Sequence, residues 1–308
     1  MRGAATYLVV TSFASKIMSL PILRLGAALL IGVLVIPARA DAHGIVGERF
    51  FPATISSDDP FAADELALPT VTAFNHETDY DFDYSKSIFP GFAVSIGAGY
   101  VDATPPGDAA ATGFSNLDIA PTLELFRSPE HEFILSAGLD WEIGGSGSRS
   151  VADRSSTYTP TIKFGKGFGD LPESLNYLRP LALTATVGYA IPSASDASRS
   201  IAWAGALEYS LLYLQNNVQD QGFSNFVAHL TPIVEFSFSS PVDAGGGTTG
   251  TFNPGLIWSG QYEQLAVEAI LPVNRATGDN VGVIAQLHFY IDDLFPNTLG
   301  TPIFGGKR

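Results

Sequence analysis

From residue 65 to residue 291 apolar and polar positions alternate with a period of two, not the 3.6 of a helix. The clearest run is 132–143, EFILSAGLDWEI, where Phe133, Leu135, Ala137, Leu139, Trp141 and Ile143 share one face. Ser136, Gly138, Asp140 and Glu142 occupy the other. Residues 201–213, 227–239 and 281–291 repeat the pattern, with weaker versions at 65–76, 79–87, 91–101, 115–126, 157–167, 179–190, 251–259 and 261–271. Strands of soluble proteins run to about five or six residues, whereas a tilted bilayer crossing takes about 9–11. Most of these twelve segments have the longer length. The pattern predicts an all-β protein, a transmembrane antiparallel β-barrel of about 12 strands.

The connections support this. Short turns at 88–90, 128–130 and 259–260 alternate with long Gly/Ser/Asp-rich loops at 102–114, 144–156, 191–200, 240–250 and 272–280. Long loops on one side and short turns on the other are the habit of outer-membrane barrels, and an even strand number leaves both termini in the periplasm. With odd strands running outward, Tyr100, Trp141, Tyr158, Tyr189 and Trp203 fall near the outer rim. Phe126, Phe133, Tyr213, Phe226, Trp258, Tyr262 and Tyr290 fall near the periplasmic rim. Two aromatic belts are what a membrane interface selects. Pro121, Pro160, Pro232 and Pro254 lie inside predicted strands, where each deletes a ladder donor, and are expected to mark bulges or strand ends.

The longest apolar run, Leu25–Pro37, is preceded by Arg2, Lys16 and Arg24 and followed by small residues. Its 13 residues are too few for a helical span, which takes about 18 or more. A basic region, a short apolar core and the sites Ala38-Arg39-Ala40 and Ala40-Asp41-Ala42 make residues 1–42 a signal peptide. Domain boundaries follow: 1–42 signal, 43–64 an N-terminal periplasmic or plug segment, 65–291 barrel, 292–308 a periplasmic C-terminal tail. The localisation expected is the bacterial outer membrane.

Composition narrows the chemistry. There is no cysteine, which excludes disulfides, Cys-ligated zinc and thiol catalysis. Without residues 1–42 the chain carries 12 basic against 30 acidic residues, which argues against nucleic acid as a partner. No nucleotide-binding, hydrolase or metalloprotease motif occurs, so neither a cofactor nor an enzyme is expected.

Alternation sends Asp81, Asp83, Asp118, Glu124, Asp140, Glu142, Lys163, Glu208, His229, Glu235, Glu268, Gln286 and His288 into the lumen. They compose either an electronegative path for solutes or a packed polar plug in which carboxylates accept hydrogen bonds. His229 and Glu235 sit three inward positions apart on one strand and His288 is on the last; a His–carboxylate pair is the makings of a base and its orienter, but no serine stands out as a nucleophile. Residues 43–64 do not alternate and cannot face lipid; Phe50, Phe51 and Phe61 are the plug candidates. Within this segment Asp58, Asp59 and Asp64, with Glu65, offer oxygen ligands to a hard cation, without EF-hand spacing. A mature start at His43 would place an amine beside an imidazole, a copper-chelating pair.

The stretches HGIVGERFFPATISSDDPFAADELALP (43–69) and GVIAQLHFYIDDLFPNTLGTPIFG (282–305) resemble proteobacterial outer-membrane proteins near the family "MetA-pathway of phenol degradation", loosely related to the FadL-type channels. The resemblance implies passage of small organic solutes, aromatic or hydrophobic ones among them, with membrane lipid and the barrel-assembly machinery as partners. The alternative is a non-conducting structural or binding barrel plugged by its own N-terminal segment. In one respect the chain departs from the pattern: it continues past the last strand, so Phe289 or Phe304 must serve as the terminal aromatic.

Overall fold

The structure, a computed structural model, describes residues 44–304 apart from 108, 244 and 245. The signal peptide expected over 1–42, the copper-chelating start expected at His43 and the last four residues lie outside the described residues.

A two-residue-by-two-residue hairpin, β1 (Ile45–Val46) and β2 (Arg49–Phe50), comes first. The barrel strands are β3 (Glu65–Phe74), β4 (Glu77–Phe89), β5 (Phe92–Ala103), β6 (Ala111–Phe114), β7 (Leu117–Ser128), β8 (Phe133–Ile143) and β9 (Thr157–Gly167). They continue as β10 (Leu181–Pro192), β11 (Ser200–Tyr209), β12 (Leu230–Pro241), β13 (Thr249–Ser259), β14 (Glu263–Pro272) and β15 (Gly282–Tyr290). Every neighbour is antiparallel, β15 pairs with β3, and β6 and β7 form one stave along β5, so twelve staves close on themselves. Closure is what lipid demands, because an open sheet edge there would leave a row of unpaired N–H and C=O groups.

The sidedness follows the alternation. Each of the twelve staves carries at least one large apolar residue exposed on the outside, from Leu68 on β3 through Ile96, Leu139, Val187 and Val234 to Val283 on β15. The inward positions of the same staves are polar or small: Thr70, Ser136, Thr186, Glu235 and Gln286 are all buried. Apolar outside and polar inside is the inversion that a membrane barrel requires. Aromatic pairs ring the exterior at both ends, with Trp141 stacked on Tyr158 at 5.8 Å and Trp203 on Phe238 at 4.3 Å near the long loops. Near the short turns Phe126 meets Phe133 at 6.1 Å and Phe226 stacks on Trp258 at 5.9 Å. The outer-membrane location follows from these belts, the closed sheet and the alternating loop lengths.

Several expectations are corrected in detail. The strand expected at 201–213 stops at Tyr209, because the Ser210 hydroxyl accepts a hydrogen bond from Tyr213 N (3.1 Å) and starts the short helix α1 (Leu211–Tyr213). Residues 225–228 form α2, N-capped by Ser224, before β12 begins at Leu230. Serine at both positions offers the backbone a side-chain partner in place of the ladder. Tyr213 and Tyr290 therefore do not join the periplasmic belt; both are buried inside. The four prolines predicted to mark bulges do not break the staves either. Register runs through Pro121, Pro160, Pro232 and Pro254, and the bulges lie on β3 at Leu68 and Pro69, where the register against both β4 and β15 shifts, on β4 between Ser87 and Phe89, and on β7 between Glu124 and Phe126.

Val187 sits mid-strand on β10 and is exposed to the lipid side. Val187→Arg is expected to cost about 2–4 kcal/mol, the usual depth-dependent penalty at a bilayer midplane. Equilibrium unfolding in lipid vesicles measures it, with Val187→Leu as the neutral comparison.

Candidate functional site: the inner segment and the lumen

Residues 51–64 have no ladder partner, yet a backbone enclosed by a barrel must satisfy its polar groups somewhere. Here inward side chains of the staves do that work. The Gln264 amide pairs both groups of Ala53, accepting from its N–H at 3.1 Å and donating to its carbonyl at 2.7 Å. Glu235 accepts from Ile55 N and Ser56 N, each at 2.7 Å, and from Ser57 Oγ at 3.1 Å. Thr186 donates to the Asp58 carbonyl at 3.1 Å, and Ser136 donates to that of Pro60. Glu124 accepts from Ala62 N at 3.2 Å, and Ser85 donates to the Ala63 carbonyl at 2.8 Å. Adding Lys163, whose Nζ is 3.4 Å from Asp58, and Asn253, which donates to Ser56 Oγ at 2.6 Å, the segment is tied to eight staves.

Its apolar residues divide the lower lumen into two small cores. Phe51 packs against Phe61 (5.7 Å between ring centroids) in a cluster with Val46, Ala63, Ile134 and Ala182. Ile55 packs on Ala206, Ile233, Ile257 and Ala266. Phe50 lies edge-on to Tyr290 at 6.3 Å, and the Tyr290 hydroxyl donates to Gln264 at 2.8 Å.

Both ends of the segment are anchored at the mouth. Arg49, fully buried, donates to Glu132 at 3.2 Å, to the Pro180 carbonyl at 3.0 Å and to the Arg179 carbonyl. Its guanidinium lies 3.8 Å over the Tyr213 ring. Burial, with Glu132 alongside, pushes the Tyr213 phenol up to about 12, so the ring stays neutral beneath the cation. At the other end Asp64 accepts from Lys86 Nζ at 2.6 Å, Ser87 N at 2.8 Å and Ser87 Oγ at 2.6 Å. Lys86 also donates to the Leu299 and Thr301 carbonyls, and Phe304 N donates to the Ile88 carbonyl. The C-terminal tail, beginning with α3 (Ile291–Leu294), thus crosses from β15 to β4 over the closing seam.

The remaining sequence-predicted residues distribute as follows. Glu268 accepts from Ser56 Oγ at 3.3 Å and Gln286 donates to Thr70 at 3.0 Å. His288 Nε2 stands 3.1 Å from Glu65, while Glu208 is buried with its Oε1 unpaired. Higher up, Glu142 accepts from Asn116 at 2.7 Å, and Asp83 and Asp118 are inward-facing yet exposed, so water reaches the upper lumen. His229 sits below β12, its Nδ1 2.7 Å from the Asn225 carbonyl and its ring against Trp258. It borders a cavity of about 180 Å³ with Phe50, Glu48 and Thr231. The His229–Glu235 pair is not formed: six residues of extended chain hold the two roughly 20 Å apart, and the Glu235 carboxylate is bonded to the segment. The acidic quartet is likewise dispersed, Asp58 toward Lys163, Asp59 to Phe61 N, Asp64 to Lys86 and Glu65 toward His288. Among the described residues no group of three or more His, Cys, Asp and Glu is placed to hold a metal.

Sequence reasoning missed Arg49, Glu132, Gln264, Asn253 and Asn116. Gln264 and Asn253 lie on inward positions of their strands, so the alternation held the signal; Arg49 had none, since its partners come from distant turns.

Arg49→Met leaves Glu132 buried without its cation, a change that costs about 3–5 kcal/mol for a buried pair. The expected outcome is proteolytic cleavage within 44–64 of the folded barrel, read by mass spectrometry, while heat-modifiable migration of the barrel persists.

No family model matches the chain, and no curated protein does. Among solved structures it is similar to a KdgM porin (12% identity, TM-score 0.48, 73% of this chain and 98% of that one). It is similar also to a NanC porin (9%, 0.46, 74% and 98%) and to LpxR from Salmonella typhimurium (7%, 0.44, 73% and 99%). Likenesses this distant say nothing of what the barrel handles, which has to be read from its interior.

Proposed function

We propose that the protein is an outer-membrane channel for small polar or cationic solutes, whose periplasmic half is constricted by residues 51–64. The supporting observation is the division of the lumen by height. Below, the segment is bonded to eight staves. Above it, Asp81, Asp83, Asp118, Asp140 and Glu142 line one wall, while Lys163 is engaged with Asp58 of the segment at 3.4 Å. Carboxylates set in low-dielectric walls raise the local concentration of cations and repel anions. Aromatic or hydrophobic solutes, which the resemblance of the chain ends implies, would meet an acidic surface in that upper chamber. A second reading, a sealed barrel with structural duties, draws on the same segment: it holds if the segment never withdraws.

In planar bilayers the full chain is expected to show small, cation-selective conductance. Deleting residues 51–63 is expected to raise conductance several-fold, and Asp83→Asn with Asp118→Asn to shift reversal potentials toward non-selectivity. Silence of both the full chain and the deletion would refute the channel; conductance from the deletion alone would favour the sealed barrel.

A further inference from the structure

The contacts that hold residues 53–57 have a particular character. Gln264 reads an N–H and a C=O of one residue, as an adjacent β-strand would, and Glu235 reads two successive N–H groups. None of these four bonds depends on which amino acid supplies the main chain. Between the two clamps one side chain, Ile55, enters a small apolar recess formed by Ala206, Ile233, Ile257 and Ala266. A main-chain clamp on either side of an apolar recess is how proteins bind extended peptides: backbone bonds give affinity and the recess gives selectivity.

The wall also offers more than its own segment uses. Asn253 and Glu268 both bond to Ser56 Oγ, yet Asn253 Oδ1 is buried and without a hydrogen-bond partner. It is an acceptor, and the serine hydroxyl, already donating to Glu268, has no second proton to give. A residue carrying an amide or ammonium group in place of Ser56 would supply the missing donor, and an unmade bond at a buried group is costly.

We propose that the wall of β11–β14 is a peptide-binding site. Its ligand is a short extended peptide with a branched aliphatic residue followed by a donor-bearing residue such as Asn, Gln or Lys, and residues 53–57 occupy the site as an internal stand-in. This rests on the reading that the segment sits in the lumen, and it names a substrate class for that lumen. The tethered segment competes at an effective concentration of roughly millimolar for a short linker, so external peptide binds well only when the segment is weakened.

The test uses the full chain carrying Ile55→Pro and Ser56→Pro, which deletes both N–H donors to Glu235 and leaves the wall untouched. The probe is acetyl-Ala-Thr-Ile-Asn-Ser-amide, titrated by calorimetry into detergent-solubilised protein whose heat-modifiable migration shows an intact barrel. Ile55→Asp serves as the second variant should the double proline fail to assemble. Binding at least about tenfold tighter than to the wild-type chain is expected, together with at least about a tenfold loss when the probe's Ile becomes Asp. Addition of Gln264→Ala should abolish it. No binding to an intact variant barrel, or equal binding of the Ile and Asp probes, overturns the proposal. Failure of the channel reading is separately visible: a barrel that binds the peptide and passes no current sinks conduction and leaves the site standing.

Discussion

Everything inside this barrel answers to one constraint: a stretch of backbone shut within a closed sheet has no edge to pair with. The staves consume one another's N–H and C=O groups completely around the ring. Residues 51–64 therefore find their partners among side chains, and the inward positions supply them as Gln264, Glu235, Glu124, Ser85, Ser136 and Thr186. Seen this way the buried carboxylates of the lower lumen are not a row of stray charges. Glu235 accepts three hydrogen bonds and Glu124 is held by Ala62 N and Arg127. A carboxylate ringed by donors recovers much of the solvation that burial removes.

The outside and inside of the barrel are two readings of the same parity. Shifting β12 by one residue would put Glu235 into lipid and Val234 into the lumen, and the same holds for each stave's own residues, so the apolar belt fixes the register of the polar interior. Three bulges lie on β3, β4 and β7, and the one on β3, at Leu68 and Pro69, shifts its register against both β15 and β4 at the closing seam. A bulge adds local twist, here where the chain must bring its first and last strands together.

The barrel was legible in the sequence because its signal is periodic: all twelve segments recur as staves, with ends displaced by a few residues. The ends moved where Ser210 and Ser224 offered the backbone an alternative to pairing. Half of the site was equally legible, since Glu124, Lys163, Glu235 and Glu268 sit on inward positions that alternation marks. What alternation does not encode is partnership. Glu235 meets Ile55 across 180 residues of sequence and Arg49 meets Glu132 across 83. The proximity of such groups is a product of closure, whereas the failure of His229 to meet Glu235 was already in the strand rise, six residues amounting to roughly 20 Å.

The seam has a consequence for how the molecule comes into being. Asp64 is bonded to Lys86, and Lys86 to the carbonyls of Leu299 and Thr301, so one carboxylate at the start of the first stave is joined through a single lysine to the tail behind the last. The partners of residues 53–57 lie on β12–β14, late in the order of synthesis. Growth from the N-terminus cannot seat the segment, because its cradle does not yet exist. The beginning of the chain can therefore take its final place only once the strands made last are in position.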